Sequence, residues 1–183
     1  MPFPNRTEAL KLLQEHVKEA YQLLHSQMVA AGLEKYAEKF GEDKDFWYTT
    51  GLLHDLDYYE HPTAHPKTGL QWYQEWGYPE EFIHAVAAHG IELPRVKPQS
   101  KLAKALIAVD EMCGLMYAYF LMRPTGFDGM EAKSVKKKFK DKAFAAKIDR
   151  KEIQYGLNEL GVEFADHVNT LLEAFKEMSE LKK

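Results

Sequence analysis

The chain has 183 residues, 45% of them hydrophobic and 28% charged, with a formal net charge of -4. This is enough apolar material for one sizeable core, and the acidic balance excludes general binding to a nucleic-acid polymer, which needs a positive surface to neutralise phosphates. A single cysteine, Cys113, excludes an intramolecular disulfide; the start MPFPNRTEALKLL lacks an apolar signal segment and no run reaches the length expected of a membrane span, so a cytoplasmic protein is expected.

No Pro/Gly/Ser-rich linker divides the chain, and residues 1–183 read as one domain. Asn5 followed by Glu8 forms a capping-box pattern, and Leu10, Leu13 and Val17 then recur at helical spacing. A second stripe, Leu24, Met28, Leu33, Tyr36 and Phe40, ends at Gly41, a suitable left-handed cap. His25 lies on or beside this stripe, where a lone histidine is commonly just a satisfied core residue. Phe46, Trp47, Gly51, Leu52 and Leu53 make a third helix that runs directly into His54 and Asp55.

The stretch GLLHDLDYYEHPTAH is the densest in potential metal ligands, with His54, Asp55, Asp57, His61 and His65 in close succession. Neutral imidazole nitrogen beside anionic carboxylate suits a divalent ion. A His-Asp dipeptide alone is a weak motif, and a buried pair could equally be a structural hydrogen bond at a helix end. Tyr58 to Pro66 reads as a loop, and Lys67 to Trp76 as a short helix. PEEFIHAVAAHG then starts a helix with Pro79 in its first turn and His89 at its end; Phe82, Val86 and His89 share a face, leaving His84 to solvent.

After the extended segment IELPRVKPQ, Ser100 caps the longest helix, KLAKALIAVDEMCGLMYAYFLM. Asp110 interrupts its apolar run. An inward carboxylate is costly unless paired or bound to a cation, so Asp110 is either a ligand or half of a salt bridge; Cys113, one turn on, reads as a small core residue. The lysine-rich residues 133–151 carry Val135, Phe139, Phe144 and Ile148 as apolar anchors on an otherwise solvated face. Asp149 with Glu152 suggests another cap, Gly161 ends that helix, and Phe164 to Phe175 form a final amphipathic helix in which His167 receives no role. No strand-like alternation and no repeat occurs, which predicts an all-α bundle.

In order, His25, His54-Asp55 and Asp110 spell H…HD…D on strongly apolar helices. With EHV, FGED, GLLHDLDY, GYPEEFIHAVAAH and SVKKKFKDKAFAAKIDRKEI, over residues 15–152, the chain resembles the HD-domain superfamily of metal-dependent phosphohydrolases, in particular its small single-domain bacterial and archaeal members. The resemblance implies a helical bundle with a central metal site, His25, His54, Asp55 and Asp110 holding one divalent transition ion (Mn, Fe, Co, Ni or Zn). It matches His65 and His89 to the histidines by which some members hold a second ion through the HD aspartate. Pro66 and Gly90 replace a glycine and a polar residue found in many relatives.

The expected activity is hydrolysis of a phosphomonoester or phosphodiester of a nucleotide or other small metabolite by metal-activated water. Asp55 would be catalytic, Asp57 would orient the water or act as a base unless it is an ordinary turn residue, and His89 would assist the substrate's charge. Lys136, Lys137, Lys138 and Lys142 are further candidates for phosphate contact. Two other functions stay open: a di-iron oxygenase, since a branch of HD domains uses H…HD…H…H…D to activate oxygen, and a non-catalytic metal- or nucleotide-binding module. Oligomeric state and substrate are left open, as is the placement of Tyr58, Tyr59, Trp72, Tyr117 and Phe127.

Overall fold

A computed structural model describes residues 2–90 and 96–182. Among the described residues there are helices and turns and no strand, as the missing alternation predicts. The helices are α1 (Arg6–His16), α2 (Ala20–Phe40), α3 (Lys44–Leu53), α4 (Lys67–Glu75), α5 (Glu80–His89), α6 (Lys101–Met122), α7 (Ala132–Lys140), α8 (Arg150–Leu160) and α9 (Phe164–Glu177), followed by a short 3-10 turn.

The caps follow the side chains. Asn5 accepts from the Thr7 and Glu8 amides while Glu8 accepts from the Asn5 amide, so two orphan donors at the start of α1 are satisfied reciprocally. Asp43, Ser100 and Asp149 cap α3, α6 and α8 in the same sense. Gly41 and Gly161 end α2 and α8 at φ of 70° and 71°. Pro79 sits one position before α5, as its N-cap, instead of in its first turn.

α6 is the spine. It packs on α2, α5 and α8, and its buried residues, from Leu102 to Met116, join Met28, Leu33, Ile153, Leu157, Leu171 and Phe175 in one core. A second core gathers Leu13, Leu52, Leu53, Leu56, Tyr73, Phe82 and Val86 from α1, α3, α4 and α5. The 22-residue α6 corrects one expectation: by length and composition it is long enough and apolar enough to cross a membrane. Its apolarity on every side has a packing cause, since 61% of its most apolar window is buried among other helices.

Two close backbone approaches fix the helices that carry the candidate ligands. A Cβ on Gly51 would lie 2.4 Å from Ala30 Cα, so only glycine lets α3 rest against α2 one turn before His54. A Cβ on Gly156 would lie 2.5 Å from Ala108 Cα, so α8 presses as closely on α6 beside Asp110. The extended reading of IELPRVKPQ falls largely on residues 91–95, outside the described residues.

Two readings of single histidines change. His84 is half-buried, with its Nε2 donating to the Lys97 carbonyl at 3.1 Å. His167 is fully buried and its Nδ1 accepts from the Tyr36 hydroxyl at 2.5 Å, because it lies on the same stripe of α9 as Phe164, Val168 and Leu171.

Candidate metal centre

Four helices and one turn bring six side chains to a point. His25 comes from the second turn of α2 and Asp110 from the middle of α6, two helices that pack on each other; His25 Nε2 lies 2.9 Å from Asp110 Oδ1. α3 ends at Leu53, whose carbonyl accepts from the buried Tyr73 hydroxyl of α4, and the chain turns so that His54 and Asp55 face inward while Leu56 is driven into the core. His65 precedes α4 and His89 closes α5.

The distances define two groups that share Asp55. Its Oδ2 is 3.5 Å from His54 Nε2, which is itself 3.6 Å from Asp110 Oδ1. Its Oδ1 is 3.3 Å from His65 Nε2 and 3.2 Å from His89 Nε2. The ligand atoms of His25, His54 and Asp55 lie within 4.8 Å of one another, as do those of His54, His89 and Asp110, and those of Asp55, His65 and His89.

Hydrogen bonds on the far side of each ring fix which nitrogen is free. His54 Nδ1 donates to the Gly51 carbonyl at 2.8 Å, His89 Nδ1 to the Val86 carbonyl, and His65 Nδ1 to Asp57 Oδ1 at 2.7 Å. With the proton on Nδ1, each Nε2 presents a lone pair to the centre, as metal-ligating histidines do. Three observations then favour a cation among these atoms. His54 Nε2 is fully buried and has no hydrogen-bond partner. The Nε2 atoms of His65 and His89 face each other at 3.3 Å, a repulsive pair of lone pairs unless positive charge sits between them. The donor set of imidazole and carboxylate matches divalent transition metals.

The electrostatics agree. Burial works to lower the pKa of His54, but Asp55 and Asp110 outweigh it and push the ring up to about 9. Burial likewise opposes charge on the two carboxylates, yet His54 and His89 hold Asp55, and His25 and His54 hold Asp110, well below the usual carboxylate range. His65 is raised against its burial by Asp57 and Asp55. The pocket therefore draws positive charge, and a metal ion would supply it without the protons.

Asp57 is placed differently from the expectation of a base facing the water. It is buried; Oδ1 accepts from His65 and Oδ2 accepts from the Gly69 amide at 2.8 Å, in the first turn of α4. A carboxylate there also meets the positive end of the helix dipole. Both oxygens are thus spent on holding His65 and α4 in place.

A cavity of about 520 Å³ opens onto the cluster, lined by His25, Asp55, His65, His89 and Asp110 together with Tyr21, Gln22, Tyr58, Glu111 and Ile148 among others. The four candidate lysines are not among its lining residues: Lys136 lies over the Phe164 ring and Lys138 over Phe144, on helix α7, which packs against α9. Pro66 and Gly90 meet at the cavity wall, where a Cβ on Gly90 would lie 2.9 Å from Pro66 Cγ. Of the aromatics left open, Tyr58 lines the cavity, Tyr117 stacks on Tyr21, Trp72 packs against His16 and His61, and Phe127 is core. Glu111 was missed in the sequence although it follows Asp110 in the same apolar run; burial and the neighbouring Asp110 push its pKa up to about 7.

Comparison with known proteins gives one positive result: the family model described as HD domain matches residues 23–113, the span from α2 through α6 that holds all six side chains. No curated protein and no solved structure matches the chain. With the family match resting on the same residues that converge in the fold, the chain belongs to the HD superfamily of metal-dependent phosphohydrolases.

Proposed function

We propose that the protein hydrolyses a phosphate ester of a nucleotide or other small metabolite, using two divalent transition-metal ions that share Asp55. The observation that carries this reading is the division of labour at that carboxylate, with Oδ2 toward His54 and Oδ1 toward His65 and His89. His25, His54, Asp55 and Asp110 would hold one ion, and Asp55, His65 and His89 the other. When bound, such ions lower the pKa of water to near neutrality and neutralise charge on phosphoryl oxygens.

The remaining steps belong to the chain. Asp57 orients His65 and so acts through it, without touching substrate. Leu53 and Leu56, which flank His54 and Asp55, are fully buried in the core, and the 520 Å³ cavity that opens onto the cluster leaves room for a small ester. His89, whose Nδ1 is held by the Val86 carbonyl, keeps its Nε2 aimed at the second ion's position beside His65.

A second reading is favoured by the same six-residue convergence, because oxygen-activating HD domains use H…HD…H…H…D as well. The discriminating experiment incubates the protein, loaded separately with manganese, cobalt, nickel, zinc or iron, with a panel of phosphorylated metabolites, and follows phosphate release and oxygen uptake together. Phosphate release that is lost in Asp55→Ala and is independent of oxygen supports hydrolysis. Oxygen uptake by the iron form alone, with no phosphate released under any metal, would replace it with the oxygenase reading.

A further inference from the structure

The segment at residues 141–149, between α7 and α8, is unusually well fastened for a turn. The Arg150 guanidinium donates through Nη1 to the carbonyls of Ala145 and Ile148, at 2.5 and 2.8 Å, and through Nη2 to those of Asp141 and Phe144. Asp141 Oδ1 accepts from the Ala143 and Phe144 amides. Ala145 is held at φ 44°, a left-handed conformation that a non-glycine residue keeps only when its surroundings impose it.

This winding delivers two things to the cavity. Ile148 becomes part of the wall and lies over Gly114 of α6, where an added Cβ would come within 2.7 Å of its Cδ1. The Asp149 amide donates to Glu111 Oε2 at 3.2 Å, which fixes that carboxylate as a second part of the same wall. Gln22, which lines the same cavity, carries a buried Oε1 that has no hydrogen-bond partner. The wall thus combines an apolar contact with two acceptors, the neutral Gln22 amide oxygen and the Glu111 carboxylate, which is anionic above its pKa of about 7, and an acceptor-rich wall is satisfied by a ligand that brings donors.

We propose that Ile148, Glu111 and Gln22 form a preformed specificity wall, which selects phosphomonoesters of compact hydroxyl- or amino-bearing alcohols over esters carrying a second anionic group. This rests on the phosphohydrolase reading for the phosphate half of the ligand. The alcohol half donates to Glu111 and Gln22 and packs on Ile148; a second carboxylate or phosphate would face Glu111 with like charge. Arg150 is a positioning residue, acting only through the 141–149 turn.

The test is calorimetric binding to the manganese-loaded protein of glycerol 3-phosphate, phosphoethanolamine, glucose 6-phosphate and 3-phosphoglycerate, the last matching the first in size but carrying a carboxylate. Metal content, thermal midpoint and phosphate release are recorded for every variant. Wild type should bind glycerol 3-phosphate about tenfold or more tighter than 3-phosphoglycerate, the scale of one partly screened like-charge contact. Glu111→Gln should collapse that ratio. Ile148→Ala should improve glucose 6-phosphate relative to glycerol 3-phosphate, and Gly114→Ala, which displaces Ile148, should worsen it. Arg150→Lys should blunt both preferences at unchanged metal content. Equal binding of the matched pair by wild type, a ratio unmoved in Glu111→Gln, or binding of none of the four esters overturns the proposal. Selective binding without phosphate release upholds it while contradicting the hydrolase reading; phosphate release without selectivity does the reverse.

Discussion

Asp57 accepts the Nδ1 proton of His65 at 2.7 Å, and this single bond turns His65 Nε2 toward Asp55, 3.3 Å away. The same carboxylate caps the first turn of α4 through the Gly69 amide, so the ring and the helix that follows it are positioned together. Replacing Asp57 with Asn keeps the size but weakens the orienting bond. We expect Asp57→Asn to lower affinity for the ion at His65 and His89 by about 10- to 100-fold, the usual effect of losing such a partner, and to leave the other ion in place. Stepwise metal titration of the chelated protein measures this; equal weakening of both binding steps, or of neither, contradicts it.

Asp110→Ala removes a carboxylate that His25 and His54 both approach. The variant should lose the ion held with His25 and His54. Because metal binding energy is partly folding energy, its thermal midpoint should rise on metal addition by clearly less than that of wild type, the remaining rise coming from the ion at Asp55, His65 and His89. A full metal-dependent rise would remove Asp110 from the ligand set.

Gly51→Ala places a methyl group 2.4 Å from Ala30 Cα, against backbone that has no side chain to move. Overpacking of this kind costs roughly 1–3 kcal/mol, and α3 must shift to relieve it, carrying His54 and Asp55 along. Urea unfolding should therefore report a loss on that scale together with weakened metal binding. Gly41→Ala, at a surface cap with nothing within 4 Å of the added methyl, should be destabilising through its φ of 70° but leave metal affinity unchanged.

His167 gives the acid side of the stability profile a specific cause. Burial, with Lys39 nearby, drives its pKa down to about 4, below the unfolded value near 6.5. Between those two values the unfolded chain binds a proton that the folded protein refuses, so stability falls as pH is lowered through this window. A shift of this size corresponds to about 3 kcal/mol, all of it present above pH 6.5 and lost by about pH 4. His167→Gln should flatten the profile of unfolding free energy between pH 6.5 and 4 relative to wild type; parallel profiles would contradict the assignment.

Much of the fold was legible because its signals are local. Asn5 with Glu8, Gly41, Ser100, Asp149 and Gly161 mark helix ends that the structure places within a residue or two of the sequence reading. Among the metal-ligand candidates, His54-Asp55 and Asp110 stood out for a related reason, since charge at the end of an apolar helix, or within one, needs a partner; His25, His65 and His89 were singled out as ligands only by the resemblance to HD domains. What could not be read is how faces turn relative to each other. His167 sits at helical spacing from Phe164 and Leu171, a signal that was present but carried no partner in the sequence, since Tyr36 lies on a distant helix. Asp57 looked free because its two partners, His65 and the Gly69 amide, come together only when the turn folds back on α4. The lysines of α7 looked suited to phosphate by charge alone, and only the packing of α7 on α9 assigns them to another face. The role of the 141–149 turn depends on four backbone carbonyls meeting one guanidinium, which no side-chain pattern encodes.

In the proposed function, six side chains form one two-ion centre in which Asp55 is shared. Elemental analysis of protein dialysed against manganese tests it most directly, comparing wild type with His65→Ala and Asp55→Ala. Two equivalents in wild type, one in His65→Ala and none in Asp55→Ala is the predicted result. Two equivalents retained by Asp55→Ala, or none bound by wild type, would contradict it.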